Sequence, residues 1–140
     1  MQGVIFGDKH TYRDWGLLIK SRPLISPPKP KLTLIPVPGS DRVIDLTESL
    51  TGKVHYEPRT ISFEFITMAE REKWPALYSD ILGYTHGKRL RIIMDDDPNY
   101  YYTGRVSVTE LKTEKKTAIL TMTAEVEPYK RERFGEGKCL

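Results

Sequence analysis

The residues of this 140-residue chain best able to do chemistry are three histidines, a run of three aspartates, a run of three tyrosines and one cysteine. His10, His55 and His86 fall in separate segments, without the i, i+4 or short-loop spacing that brings two imidazoles onto one metal. His86, within Tyr-Thr-His-Gly-Lys, reads as a residue at a helix C-terminus, where a partly charged ring suits the helix dipole. Asp95, Asp96 and Asp97 offer carboxylate oxygens to a divalent cation, which would be the basis of a metal-dependent hydrolase. Consecutive side chains on an extended segment point to opposite faces, however, and the alternating Asp-x-Asp-x-Asp of a cation loop is missing. Followed by Pro98 and Asn99, the run reads as a polar turn. Cys139 has no second cysteine for a disulfide and no histidine assignable to it, so a solvated thiol is expected. There is no Gly-rich phosphate loop, G-x-S-x-G elbow or H-E-x-x-H. No metal, cofactor or enzymatic activity is expected from these residues.

Tyr100, Tyr101 and Tyr102 are a different kind of feature. Exposed aromatics near basic residues such as Lys88, Arg89 and Arg91 can stack bases or sugars, the chemistry of a small β-barrel module binding single-stranded nucleic acid or glycan. On a strand Tyr100 and Tyr102 share one face and Tyr101 takes the other. The plainer reading is core or interface packing with hydroxyls at the rim. Charge favours the plainer reading: 22 Lys and Arg against 19 Asp and Glu leave a net +3, not a concentrated basic face.

The elements that position these residues follow from periodicity. Apolar residues make up 39% and charged residues 29% of the chain, the composition of one globular domain. No run approaches the roughly 20 apolar residues of a membrane span. The first residues lack the pattern of a secretory leader, so synthesis in a reducing cytosol and no membrane partner are expected. Ile61, Phe63 and Phe65 alternate with polar neighbours, as do Ala118, Leu120, Met122, Ala124 and Val126, with Ile119 the exception. Residues 100–111 and 116–127 read as an antiparallel hairpin, and 89–94, 3–6, 16–20 and 54–56 as further strands. DKHTYRD, between the first two of the N-terminal strands, reads as a polar turn.

One helix is predicted over about 68–84, since Trp74, Leu77, Tyr78, Ile81 and Leu82 form an apolar stripe. Thr67 and Glu70 have capping-box spacing, Gly83 or Gly87 can end the helix, and Pro75 either kinks it or fixes its start near Trp74. Residues 23–38, PLISPPKPKLTLIPVP, hold six of the ten prolines and cannot form a central strand. Leu24, Ile25, Leu32, Leu34, Ile35 and Val37 are too apolar to be left in water, so an extended arm or edge segment packed against another subunit is expected. With Tyr100 and Tyr102 these six are the candidate subunit-interface residues. The fold class predicted is mainly β (α+β): an antiparallel β-barrel or sandwich-like domain with one flanking helix and an extended proline-rich arm.

The order of these segments resembles the N-terminal domain of the siphophage and prophage distal tail (Dit) proteins. The resemblance runs over residues 1–131 and is carried by the helix, GYTHGKRLRIIMDDDPNYYYTGRV and the closing Glu127-Pro128-Tyr129-Lys130. It implies a fold related to phage tail tube proteins and a hexamer, a ring at the end of the tail tube that continues the DNA channel. Such a ring serves as the hub for tail-tip or baseplate assembly. Its implied partners are further copies of itself, the tail tube protein and the tail-tip protein, with DNA passing through. The implied location is the virion tail, reached from the bacterial cytoplasm. Lys112 to Lys116 would then be a ring-surface or axial contact. Residues 132–140 read as a flexible C-terminal tail, and the sugar-binding role tied to the second domain of many Dit proteins is not expected of these residues.

Overall fold

The computed structural model describes residues 2–67 and 69–140. In chain order the elements are β1 (Val4–Phe6), β2 (Lys9–His10), α1 (Thr11–Trp15), β3 (Leu17–Ile25), β4 (Leu34–Pro36), β5 (Val43–Asp45), β6 (Arg59–Thr67), α2 (Trp74–Thr85), β7 (Arg89–Met94), β8 (Tyr100–Thr113), β9 (Ala118–Val126), β10 (Lys130–Glu132) and β11 (Lys138–Cys139). The main sheet is antiparallel in the order β2-β1-β7-β8-β9-β6-β3, and β4 and β5 form a separate pair.

Strand alternation places the core as expected. Ile61, Phe63 and Phe65 on β6 face Ala124, Met122 and Leu120 on β9, and all six are buried. Ile119 is half-buried on the other face, opposite Ile66. Phe6 on β1 and Phe63 on β6 lie four strand steps apart in the sheet order, about 19 Å if the sheet were flat. Their rings nevertheless meet edge to face with centroids 5.3 Å apart. Only a sheet curled onto itself permits this contact, so the domain is barrel-like, as the fold class anticipates. Bulges in β3, and in β8 between Val108 and Glu110, supply local bends. At Gly104, β8 runs so close to β9 that an added Cβ would lie 2.5 Å from the Val126 Cα.

Helix α2 begins at Trp74, with Pro75 in its first turn, where a missing N–H costs no hydrogen bond. The expected start at residue 68 lies outside the described residues. The Thr67–Glu70 capping box does not form: Thr67 ends β6 and its hydroxyl accepts the amide of Ala69, while Glu70 precedes the 3-10 turn Arg71–Lys73. Pro75 is the physical reason, because it fixes the α-helical start at Trp74, seven residues after the supposed cap. Trp74 and Ile81 are buried, and Leu77, Tyr78 and Leu82 pack partly against the core. The helix ends at His86, followed by Gly87 at φ +76°, and Gly83 stays inside it.

Four other expectations change. DKHTYRD is not a simple turn but contains β2 and the one-turn helix α1, because His10 caps that helix with its ring. Residues 54–56 make only an isolated bridge, Tyr56 to Pro30. Pro23, Leu24 and Ile25 belong to the sheet as the end of edge strand β3, where proline needs no ladder donor, so the free arm starts after Ile25. Residues 132–140 are not without structure: β10 and β11 pair with each other, and β10 pairs with the start of β8.

Candidate interaction surface

The segment between β3 and β6 is held at its root and apolar at its tip. At the root, the Ser26 amide donates to Thr60 O at 3.1 Å, and the buried Arg59 donates from Nε to Ser26 O at 3.0 Å and from Nη1 to Pro128 O at 3.1 Å. The Arg59 guanidinium also lies over the Tyr102 ring, 5.8 Å from its centroid. One side chain therefore joins the departing arm, the end of β9 and the core. Farther out, Lys31 N donates to His55 O at 2.7 Å and Glu57 N to Lys29 O at 2.8 Å, so the two limbs run as a ribbon.

The tip is a β-hairpin that the sequence reading did not foresee. Leu34, Ile35 and Pro36 oppose Asp45, Ile44 and Val43, and Val37 N donates to Arg42 O while Leu46 N donates to Thr33 O. Pro38-Gly39 makes the turn, with Gly39 at φ +74°, the conformation that the third residue of a type II turn requires. Every residue of β4 and β5 is exposed. Leu34 (49%), Ile35 (44%), Val43 (53%), Ile44 (48%) and Leu32 (56%) all face solvent. A lone two-stranded hairpin is marginal in water, and apolar side chains on it gain nothing unless something covers them. Asp45 is tied back to the turn, its carboxylate accepting the amide and the hydroxyl of Thr47, which holds its pKa below the usual carboxylate range.

The eight candidate interface residues divide. Leu34 and Ile35 sit together on β4, with Leu32 and half-buried Val37 flanking them. Leu24 is 69% exposed on β3 near the arm's root, whereas Ile25 packs against the core. Tyr102 is a correction: it is buried in the core and cannot face a neighbour. Tyr100 is half-buried beneath Lys130 Nζ, 4.6 Å from its ring centroid, and Arg91 covers Tyr101 at 4.8 Å. The tyrosine run therefore offers no open stacking platform. The sequence reading missed Val43, Ile44 and Leu46, which complete the hairpin, and Arg59. Both were findable: Pro-Gly flanked by apolar residues marks a turn, and Arg59 occupies the inward phase of the β6 alternation.

The aspartate run serves three separate tethers. Asp95 Oδ2 takes His10 Nε2 and the Gly3 amide, Asp96 accepts from Gln2, and Asp97 pairs with Lys130 at 2.6 Å. The Asp97 carboxylate holds the Lys130 ammonium above the ordinary lysine range. His86 caps the C-terminus of α2 as expected, and its Nδ1 accepts the Val108 amide at 3.0 Å, beside the β8 bulge, so the ring ties the helix end to β8. Among the described residues no three His, Cys, Asp or Glu side chains converge as a metal site, and no helix is long and apolar enough to cross a membrane.

No family model matches the chain, and no curated protein sequence matches it. Its fold is similar to that of the SPP1 Dit (gp 19.1) protein, described as a paradigm of the hub adsorption apparatus in Gram-positive infecting phages. The two superpose with a TM-score of 0.71 at 12% sequence identity, over 94% of this chain and 52% of that one. The chain thus spans about half the length of the protein it resembles in fold.

Proposed function

We propose that this chain is a non-enzymatic structural component of a siphophage or prophage tail, a distal tail protein that forms a ring at the end of the tail tube. The observation that carries the proposal is an exposed apolar hairpin projecting from a Dit-like fold. The hairpin is suited to a neighbouring subunit, because covering it removes apolar surface from water at about 25 cal/mol per Å². A ring built this way uses a heterologous contact, arm to a different patch on the next copy, that closes after a fixed rotation. Six copies, a hub role for tail-tip or baseplate assembly, contact with the tail tube protein, passage of DNA through the lumen and a place in the virion tail are parts of the same proposal. Each follows from likeness to the Dit fold. The alternative of a nucleic-acid or glycan module loses its motivation with Tyr102 buried and Tyr100 and Tyr101 covered by cations.

Sedimentation velocity across a concentration series tests the ring. A closed species near six times the 16.2 kDa chain is expected. A chain that stays monomeric at every concentration, and with a purified tail tube protein added, refutes it.

A further inference from the structure

The hairpin is apolar on both of its faces, and that is more than a surface-lying arm requires. Directly opposed residues of an antiparallel pair share a face. Ile35 and Ile44 oppose each other, and the pairing of Thr33 with Leu46 and of Val37 with Arg42 extends that face, so Ile35, Ile44, Val37 and Leu46 make its apolar centre with Thr33 and Arg42 at its two ends. The other face carries Leu34, Pro36 and Val43. Its one charged member, Asp45, has one carboxylate oxygen turned onto Thr47, which offsets part of the cost of covering that end of the face. A hairpin laid on a single surface would keep its outer face polar, since strands half exposed to water alternate apolar and polar residues. Here both faces are mostly apolar, each with a single charged residue, Arg42 on one and Asp45 on the other.

We infer that in the assembled protein the hairpin is held between apolar surfaces of other copies of this chain, one against the Ile35–Ile44 face and one against the Leu34–Val43 face. This rests on the ring-forming reading above and specifies its contact. The quantity of surface supports copies of the chain as the occupants: half-buried Val37 aside, the large apolar residues from Leu32 to Leu50 are exposed by 37% to 97%. That is on the order of several hundred Å² of apolar surface carried by one projecting segment, approaching one side of a standard interface of about 800 Å². The hairpin's ladder is short and pairs with no other strand among the described residues, so clamping also stabilises its fold.

Neighbouring residues on opposite faces give the test. Ile44→Glu and Val43→Glu are compared with wild type by sedimentation velocity, with Ile44→Thr and Val43→Thr as partners that keep β-propensity while removing apolar surface. Clamping predicts that each Glu variant raises the concentration for half-assembly at least tenfold and each Thr variant several-fold. If wild type assembles and one face's pair of variants is silent within twofold, the hairpin lies on one surface, and the two-sided contact is overturned while the ring stands. If both Glu variants fail and both Thr variants are silent, melting of the hairpin is the cause and the contact is again overturned. A wild-type chain that never assembles removes the ring reading itself, and the clamp with it.

Discussion

His10 Nε2 and Asp95 Oδ2 lie 2.9 Å apart, joining the start of the first helix to the turn after β7, 85 residues later. The other ring nitrogen, Nδ1, accepts the amides of Tyr12 and Arg13 at 3.1 and 3.2 Å. With Nδ1 receiving, the ring proton sits on Nε2 and points at the carboxylate. The histidine is thus a helix cap and a cross-sheet tether in one tautomer, and its ring is almost fully buried.

His10→Ala removes the cap and leaves Asp95 without its ring partner, and should cost about 1–3 kcal/mol, roughly 3–9 °C in Tm. His10→Asn keeps a side-chain oxygen for the amides but does not reach Asp95, and should recover part of the loss. Thermal denaturation of the two variants checks this, and equal losses would show that the cap contributes nothing.

Gly104→Ala should destabilise by about 1–3 kcal/mol, because the new methyl meets the backbone of Glu125 and Val126, which yields only if β8 and β9 part. Gly83→Ala is the contrast: within α2 and with open space around it, it should stabilise by about 0.4–1 kcal/mol. Chemical denaturation of both variants reads the two signs directly.

Arg59→Met retains much of the side chain's bulk but leaves the Ser26 and Pro128 carbonyls without their donor. A loss of about 1–3 kcal/mol is expected, with faster amide exchange concentrated at the arm's root. Uniform exchange across the chain would contradict the anchoring role.

Lys130 has a folded pKa raised by Asp97, so the stabilisation from this pair is fully present below the ordinary lysine pKa of about 10.4 and is lost as pH climbs through the higher folded value. The pair is at the surface, and its contribution is at most about 1 kcal/mol. Docking of β10 on β8 should therefore loosen above about pH 10.4 in wild type. Lys130→Met should show no such alkaline step when followed by exchange at Arg131 and Glu132.

Excising residues 34–45 and joining Thr33 to Leu46 through Asn-Gly, a favoured two-residue turn, should leave the melting temperature within a few degrees of wild type. Those residues form a sheet of their own, with no strand of the barrel paired to them. Light scattering should find only monomer. A variant that unfolds would place the tip in the core.

Much of the barrel was legible because its information is periodic. The inward residues of β6 and β9 declare themselves by alternation alone, and Pro75 marks the start of α2. What the sequence hid depends on distant partners. Nothing near His10 announces that a ring, not an Asp or Ser, caps a helix there, since the choice is enforced by Asp95 across the sheet. Tyr102 looked like its neighbours Tyr100 and Tyr101, and only the curl of the sheet decides that its ring alone enters the core. The prolines mark the arm but not its hairpin, because the returning strand begins at Val43, beyond the proline-rich stretch that ends at Pro38.

Strand β3 ends the sheet with one edge unpaired, and such an edge can template the addition of another chain's strand. Here that edge is broken by two register shifts, lacks an N–H at Pro23, and carries the exposed cations Lys20 and Arg22. A molecule bearing an exposed apolar hairpin thus has strand addition at this rim discouraged, and with it unlimited fibril growth. The same asymmetry tells where failure would begin: smoothing the rim, for instance with Pro23→Val and Arg22→Val together, should let barrels add edge to edge without limit.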